Sequence, residues 1–208
     1  MLLDKLSKYE IILASASPRR KLLLEELGLN FKVQVINIDE TYPEDYPVEK
    51  VAKYLSEIKA AAFNLRYIKS NTLVITADTI VALDDEILGK PKDADDARSI
   101  LKKLSGKKHH VITGVTIRTR NKRFSFSVRT DVYFKKLNND EINYYVSEFK
   151  PMDKAGAYGI QEWIGHVAIE KIEGSYFNVM GLPTHRLYEE LLYFVDGNER
   201  NKLRNIEL

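Results

Sequence analysis

The sequence predicts an α/β protein built on a large twisted mixed β-sheet flanked by helices. Three observations carry this: apolar β-branched runs alternate with helix-period segments throughout, no repeat or low-complexity stretch interrupts them, and no linker divides them. Residues 1–195 therefore read as one domain, followed by a polar tail at 196–208.

The elements follow in order. Ile11 to Ser15 is a short apolar run closed by polar turn residues, a strand. Ser17 is a good N-cap and Pro18 a good first residue for a helix that carries Leu22, Leu23, Leu24 and Leu27 and stops at Gly28. Phe31–Ile36 alternates as a second strand, and the acidic, Tyr-rich and Pro-broken stretch from Asn37 to Pro47 reads as an exposed loop. Val48, Val51, Ala52, Leu55, Ile58 and Ala62 form a helical stripe that predicts a helix from Val48 to about Leu65. Leu73–Ala77 and Thr79–Leu83 read as buried strand, turning at Asp84-Asp85 into Glu86–Leu88.

Asp93 caps a helix running to Leu104, with Asp95 and Asp96 in its first turn, Lys102 and Lys103 in its last, and Gly106 closing it. Val111–Thr119 and Arg123–Phe134 are alternating runs joined at Arg120-Asn121-Lys122, a long hairpin. Asn139–Glu148 reads as a helix, Val167–Ile172 as a strand and Leu182–Phe194 as a final helix.

Composition narrows the function. A formal charge of +2, with 44% hydrophobic and 30% charged residues, fits a soluble globular protein rather than a polyanion binder or a disordered chain. Cysteine is absent, which excludes disulfides, Cys-ligated metal and thiol nucleophiles. Asp4, Lys5, Lys8 and Glu10 interrupt the N-terminal apolar residues, so there is no signal-peptide core, and no run approaches the ~18 apolar residues of a membrane span. A cytoplasmic location is expected.

Four places break their local structural logic, which is where function tends to sit. Arg19 and Arg20 occupy a helix first turn, where the macrodipole already presents positive charge. A bound phosphate resolves that conflict, since backbone N–H groups and two guanidiniums favour it; solvation of both arginines is the competing reading. Asp78 lies inside the apolar run 73–83, costly unless paired, hydrogen-bonded or bound to metal, the ordinary alternative being a turn at a strand end. Lys59 falls on the apolar stripe of its helix, either snorkelling to water or meeting an anion in a cleft. Lys90 sits in the rigid Gly89-Lys90-Pro91 connection, and Glu40 in the loop after the second strand is a solvated acid or a metal ligand near Asp78.

Other chemistries are weaker. His109, His110, His166 and His185 lack zinc-ligand spacing and read as surface or satisfied residues. No Walker loop or dinucleotide fingerprint appears. Residues 102–136 hold eleven Lys or Arg against one acid, Asp131, which fits a solvated hairpin face better than a nucleic-acid patch.

Taken in order, six segments resemble the Maf family of nucleoside triphosphate pyrophosphatases. They are Leu13-Ala14-Ser15-Ala16-Ser17-Pro18-Arg19-Arg20, Ala77-Asp78-Thr79, Gly89-Lys90-Pro91, Leu104-Ser105-Gly106 with Val111-Ile112-Thr113-Gly114, Glu148–Gln161 and Glu173–Pro183. The resemblance implies a Maf/ITPase-like fold of two lobes with an active-site cleft between them, a homodimer, and hydrolysis of a nucleotide to its monophosphate and pyrophosphate with a divalent metal cation, Mg²⁺ or Mn²⁺. Lys154–Gln161 is similar to the dTTP and UTP branch rather than the 7-methyl-GTP branch. It implies Asp78 as proton acceptor and Arg19, Thr79 and Gln161 as specificity positions. Ser15, Ser17, Arg19, Arg20, Lys59 and Lys90 then bind substrate, while Glu40 and Asp78 hold the metal. Glu162-Trp163-Ile164 departs from the family, whose members usually carry Gly right after the glutamine and again two residues later.

The expected mechanism is water attack at the α-phosphorus with loss of pyrophosphate. A non-catalytic nucleotide-sensing regulator of cell division or septum formation, and a nucleic-acid binder using 102–136, are the rival readings.

Overall fold

The computed structural model describes residues 1–63 and 69–196. Its helices are α1 (Leu2–Leu6), α2 (Pro18–Glu26), α3 (Val48–Ala61), α4 (Ala94–Leu104), α5 (Asn139–Phe149), α6 (Trp163–Ala168), α7 (Tyr176–Met180) and α8 (Thr184–Asp196). The strands are β1 (Glu10–Leu13), β2 (Phe31–Val33), β3 (Thr72–Leu83), β4 (Glu86–Leu88), β5 (Lys108–Arg118), β6 (Arg123–Phe134) and β7 (Ile169–Glu173). They form one mixed sheet in the order β2-β1-β3-β5-β6-β7, with β4 paired to β3. β1 runs parallel to β2 and β3, and the remaining pairs are antiparallel. The mixed sheet flanked by helices is the expected fold class.

Most elements lie where their residues dictate. Ser17 caps α2 with its hydroxyl accepting from the Arg20 N–H, and Asp93 caps α4 by accepting from the N–H groups of Asp95 and Asp96. Asn138 and Glu141 close a reciprocal capping box on α5. Other elements differ. The run through Asp78 is one twelve-residue strand, β3, rather than two pieces. β2 ends at Val33 because β1 turns away into α2 after Leu13 and leaves no ladder to follow. Val167 and Ala168 belong to α6, not to a strand: Ile164 and Ala168 are buried one helical turn apart, so the 3.6 period prevails there. α1 was not expected, and it is anchored by buried Leu2 and Leu6. The expected end of α3 near Leu65 and the tail beyond Asp196 lie outside the described residues.

Both faces of β3 are covered. Leu73, Ile75, Ala77, Val81 and Leu83 join the main core with Leu13, Leu24, Leu101, Leu104, Ile117 and Tyr145. Burying each such aliphatic side chain is worth roughly 1.5–3 kcal/mol before entropy is charged. On the other face Ile80 packs with Val51, Ala52 and Leu55 of α3. α3 rides unusually close to the sheet: a Cβ on Gly114 would lie 2.3 Å from the Ala52 carbonyl carbon, so no larger residue fits without moving the helix. Buried hydroxyls lock it there, with Thr76 donating to the Ser56 carbonyl at 2.7 Å and Ser56 Oγ 2.9 Å from Thr116 Oγ1. Arg118 donates to the Ala60 carbonyl in the last turn of α3, where a cation suits the helix dipole.

This arrangement creates the cleft. β1 covers β3 as far as Leu13↔Ile75, and β4 resumes at Val81↔Leu88. Between those ladders neither strand covers residues 76–80 on that edge. Side chains of opposite pleat, Asp78 and Thr79, consequently both reach one opening at the C-terminal end of β1.

Candidate active site

The opening is a cavity of about 660 Å³ lined by segments that are distant in sequence: the β1–α2 turn, the loop after β2, α3, the bare edge of β3, Gly89-Lys90, residues 153–161 and Val179–Gly181. Ser15, Ser17, Arg19, Arg20, Glu40, Lys59, Asp78, Thr79, Lys90 and Gln161 all border it. The fold thus gathers every residue singled out from sequence at one place.

Lys59 projects from the last turn of α3 between two carboxylates. Its Nζ lies 2.5 Å from Asp78 Oδ1 and 3.1 Å from Glu40 Oε1, with its side chain 15% exposed. Lys59 therefore does not snorkel to water. Asp78 is itself only 7% exposed, and the ammonium compensates the desolvation of its charge. The Gly114 approach sets this geometry, because Gly114 is the register partner of Asp78 and fixes how near α3 can come.

Arg20 is held differently. Its Nε donates to the Gly181 carbonyl at 2.9 Å, and its terminal nitrogens donate to Ser15 Oγ at 3.2 Å and Thr79 Oγ1 at 3.0 Å. Burial draws the guanidinium below its ordinary pKa, while the charge of Asp78 opposes that shift. All three direct acceptors are neutral, so the guanidinium is seated beside the cavity without a direct ion pair, its charge balanced only at longer range by Asp78 and Glu40. Thr113 donates to the Asn178 carbonyl at 3.0 Å, which leaves Thr79 to donate to Thr113 and accept from Arg20. The Thr79 hydroxyl proton is then committed inside the protein. Toward a ligand Thr79 offers a lone pair and a methyl group, not a donor.

Arg19 donates to Asp153 Oδ2 at 2.9 Å. Burial opposes ionisation of Asp153, but hydrogen bonds from Lys154 and Arg19 outweigh it and hold the carboxyl below its ordinary range. Lys90 reaches the rim from an exposed turn. The Gln161 carbonyl oxygen is buried and finds no donor among the described residues, a state that costs roughly 1–3 kcal/mol until a donor meets it.

Sequence reading gave no role to several residues of this site. Asp153 and Lys154 border the cavity as a linked charge pair, with Lys154 only 6% exposed; two adjacent charges between Pro151 and an Ala-Gly-Ala turn were the available signal. Tyr158 also lines it, its hydroxyl 2.8 Å from His109 Nε2. Burial, with the neighbouring His110 charge, holds His109 down to about 3, so it is a neutral partner to Tyr158. No sequence pattern would have disclosed the Gly181 carbonyl that seats Arg20.

The donor set also bears on a metal. Among the described residues no group of three or more His, Asp or Glu could hold an ion. Glu40 and Asp78 are two carboxylates beside a cavity, each with one oxygen on the Lys59 ammonium, so a divalent cation would take their remaining oxygens and share them with substrate phosphates and water.

Among the described residues, four of the eleven cations of the 102–136 stretch are paired internally. Lys108 and Arg129 pair with Asp131, Lys135 with Glu141, and Lys103 with Glu86. No helix among the described residues is long and apolar enough to cross a membrane.

The family model described as Maf-like protein matches residues 10–194. A dTTP/UTP pyrophosphatase of Phocaeicola vulgatus is 53% identical over 91% of this chain and 98% of its own length. Proteins of the same name from Porphyromonas gingivalis and Parabacteroides distasonis are each 48% identical, over 95% and 93% of this chain and 100% of their own lengths. Among solved structures, that of the Staphylococcus aureus Ham1 protein covers 91% of this chain and 100% of its own at 17% identity and a TM-score of 0.45.

Proposed function

The chain belongs to the Maf family, and from that premise we propose that it is a nucleoside triphosphate pyrophosphatase acting on dTTP and UTP. It releases the nucleoside monophosphate and pyrophosphate. The observation that carries this reading is the cavity itself, where Arg20, seated without a direct ion pair, and the Glu40–Lys59–Asp78 cluster face one opening.

The residues divide the work by their chemistry. Arg20, seated by three neutral acceptors, and Lys90 at the rim take the triphosphate oxygens, with the α2 N-terminus and the hydroxyls of Ser15 and Ser17 beside them. Arg19 approaches the substrate from its anchor on Asp153. Asp78 accepts the proton of the attacking water as its oxygen bonds to the α-phosphorus. The bond from that phosphorus to the bridging oxygen breaks, and the electron pair leaves with pyrophosphate. Lys59 orients Asp78 before attack and offsets charge near the reacting phosphate. Glu40 and Asp78 would hold a divalent cation, Mg²⁺ or Mn²⁺, whose bound charge polarises phosphate oxygens and favours departure of pyrophosphate.

Base preference is assigned to Gln161. Its unmet carbonyl oxygen accepts a hydrogen bond, and the N3–H of thymine or uracil supplies one where cytosine presents only an acceptor. The methyl face of Thr79 adds shape. We read the enzyme as cytoplasmic and homodimeric, as the family resemblance implies, with residues 1–195 forming one domain.

Incubation of the protein with Mg²⁺ or Mn²⁺ and a panel of dTTP, UTP, CTP, GTP and 7-methyl-GTP tests the proposal. Monophosphate and pyrophosphate from dTTP and UTP are expected. Nucleotide binding without turnover would replace the enzyme with a sensor, and preferential cleavage of 7-methyl-GTP would reassign the branch.

A further inference from the structure

From behind the cavity wall to its rim runs a chain of polar contacts, buried at Tyr145 and Lys154 and exposed at Asp153, of which the hydrolytic mechanism uses only the last link to Arg19. The Gly159 N–H donates to the Tyr145 hydroxyl at 3.0 Å, and that hydroxyl donates to Glu162 Oε2. Glu162 Oε1 lies 3.0 Å from Lys154 Nζ, which also donates to Asp153 Oδ1 at 2.7 Å, and Asp153 in turn holds Arg19. Tyr145 is fully buried and Lys154 nearly so. Burial and the Glu162 carboxylate both push the Tyr145 hydroxyl up, so it stays a neutral donor.

The packing is as tight as the bonding. A Cβ on Gly159 would come within 2.8 Å of Glu162 Cδ and 3.0 Å of Lys154 Cε, and the Glu162 N–H closes the turn by donating to the Gly159 carbonyl at 3.0 Å. Gln161 sits inside that closed turn, with its carbonyl oxygen buried and unmet. A carboxamide can discriminate bases only if its oxygen and nitrogen are kept from exchanging places or swinging away.

We propose that Glu162 is a positioning residue for base discrimination. Through Tyr145 it fixes the turn that carries Gln161, and through Lys154 and Asp153 it steadies Arg19, which lines the same cavity. This rests on the dTTP/UTP reading above and adds the residue that enforces it. Glu162 touches neither the base nor the phosphates; it acts through Tyr145, Lys154 and Gly159.

The test uses the full chain carrying Tyr145→Phe, with Glu162→Gln as a milder second variant that retains volume and one acceptor oxygen. With Tyr145→Phe, KM for dTTP and UTP should rise about tenfold while KM for CTP stays within about twofold, and kcat should change far less than KM. Glu162→Gln should shift the same ratio in the same direction by a smaller factor. Parallel changes for all three nucleotides, or none, would overturn the proposal, since a merely structural role cannot single out one base edge. Hydrogen exchange at the Gly159 amide supplies a readout that needs no activity. Its protection should fall at least tenfold in Tyr145→Phe while β3 and β5 amides keep theirs, and unchanged Gly159 protection would likewise overturn the proposal. If the wild-type protein cleaves neither dTTP nor UTP, the functional reading fails by itself, and the exchange measurement still decides whether the clamp exists.

Discussion

Two ionic clusters sit on opposite sides of the long strand β5, and they are built in opposite ways. At one end of the β5–β6 hairpin, Asp131 is a single carboxylate ringed by Arg129 at 3.0 Å, His110 at 2.9 Å and Lys108 at 3.4 Å. Its members are ladder neighbours or near neighbours on two adjacent strands, and His110 is the register partner of Asp131. In the cleft, a single ammonium, Lys59, stands between Asp78 and Glu40, while Arg20 keeps its charge against neutral acceptors. These residues come from α2, the loop after β2, α3 and β3. The first cluster lies along its own two strands. The second borders a cavity, and it is held only by tertiary packing. Charge density alone therefore does not mark a site; charged groups brought to a void by elements distant in sequence do.

The strongest test of that contrast is Asp78→Asn. Turnover of dTTP should fall about a thousandfold, within the range expected for loss of a general base, while nucleotide affinity measured by calorimetry persists. Near-normal turnover would remove Asp78 from the chemistry. Next comes Gly114→Ala, which forces α3 off the sheet. Overpacking against backbone should cost about 3 kcal/mol in urea unfolding, and kcat should drop as Lys59 loses its distance to Asp78. If stability falls but kcat does not, the close approach of α3 is unconnected with the site.

Lys59→Met keeps the length of the side chain and removes the ammonium. A loss of about thirtyfold in kcat/KM is expected, equivalent to roughly 2 kcal/mol, because Asp78 is left buried without its partner.

The smallest effect belongs to the Asp131 cluster. Burial works against the Asp131 charge, yet hydrogen bonds from Arg129 and His110 hold its pKa down to about 2 from 3.8. A carboxyl depressed on folding stabilises the protein above its unfolded pKa, and that contribution is lost as pH falls from about 4 to 2. Asp131→Asn should therefore flatten the stability profile in that window, lower stability at neutral pH by about 0.5–1 kcal/mol once solvent screening is allowed for, and leave kcat/KM within about twofold. A large activity loss would mean the two clusters are coupled.

Much of the molecule was legible residue by residue. Ser17, Asp93 and Asn138 announce their helices because capping is decided within three or four residues. The cost of Arg19 and Arg20 in a helix first turn, and of Asp78 in an apolar run, is equally local, so each anomaly could be recognised without knowing its neighbours. What resisted was any feature decided by a competing partner. β2 stops at Val33 because β1 leaves it, and Val167 joins α6 because Ile164 and Ala168 find a core to bury against. Lys154 and Asp153 lay within a segment already noticed, yet the link from Asp153 to Arg19 depends on a residue more than a hundred positions away.

The sequence by itself determined the α/β class, the helix caps, the absence of thiol chemistry and the positions at which charge was placed against local preference. Tertiary structure decided what those charges do. Only the gap between the β1 and β4 ladders exposes the edge of β3, and only the glycine-permitted approach of α3 sets Lys59 against Asp78. The physical reason is range. Caps, turns and dipoles act over one helical turn, whereas the sign and direction of a buried charge are settled by whichever distant group the packing brings within about 3 Å.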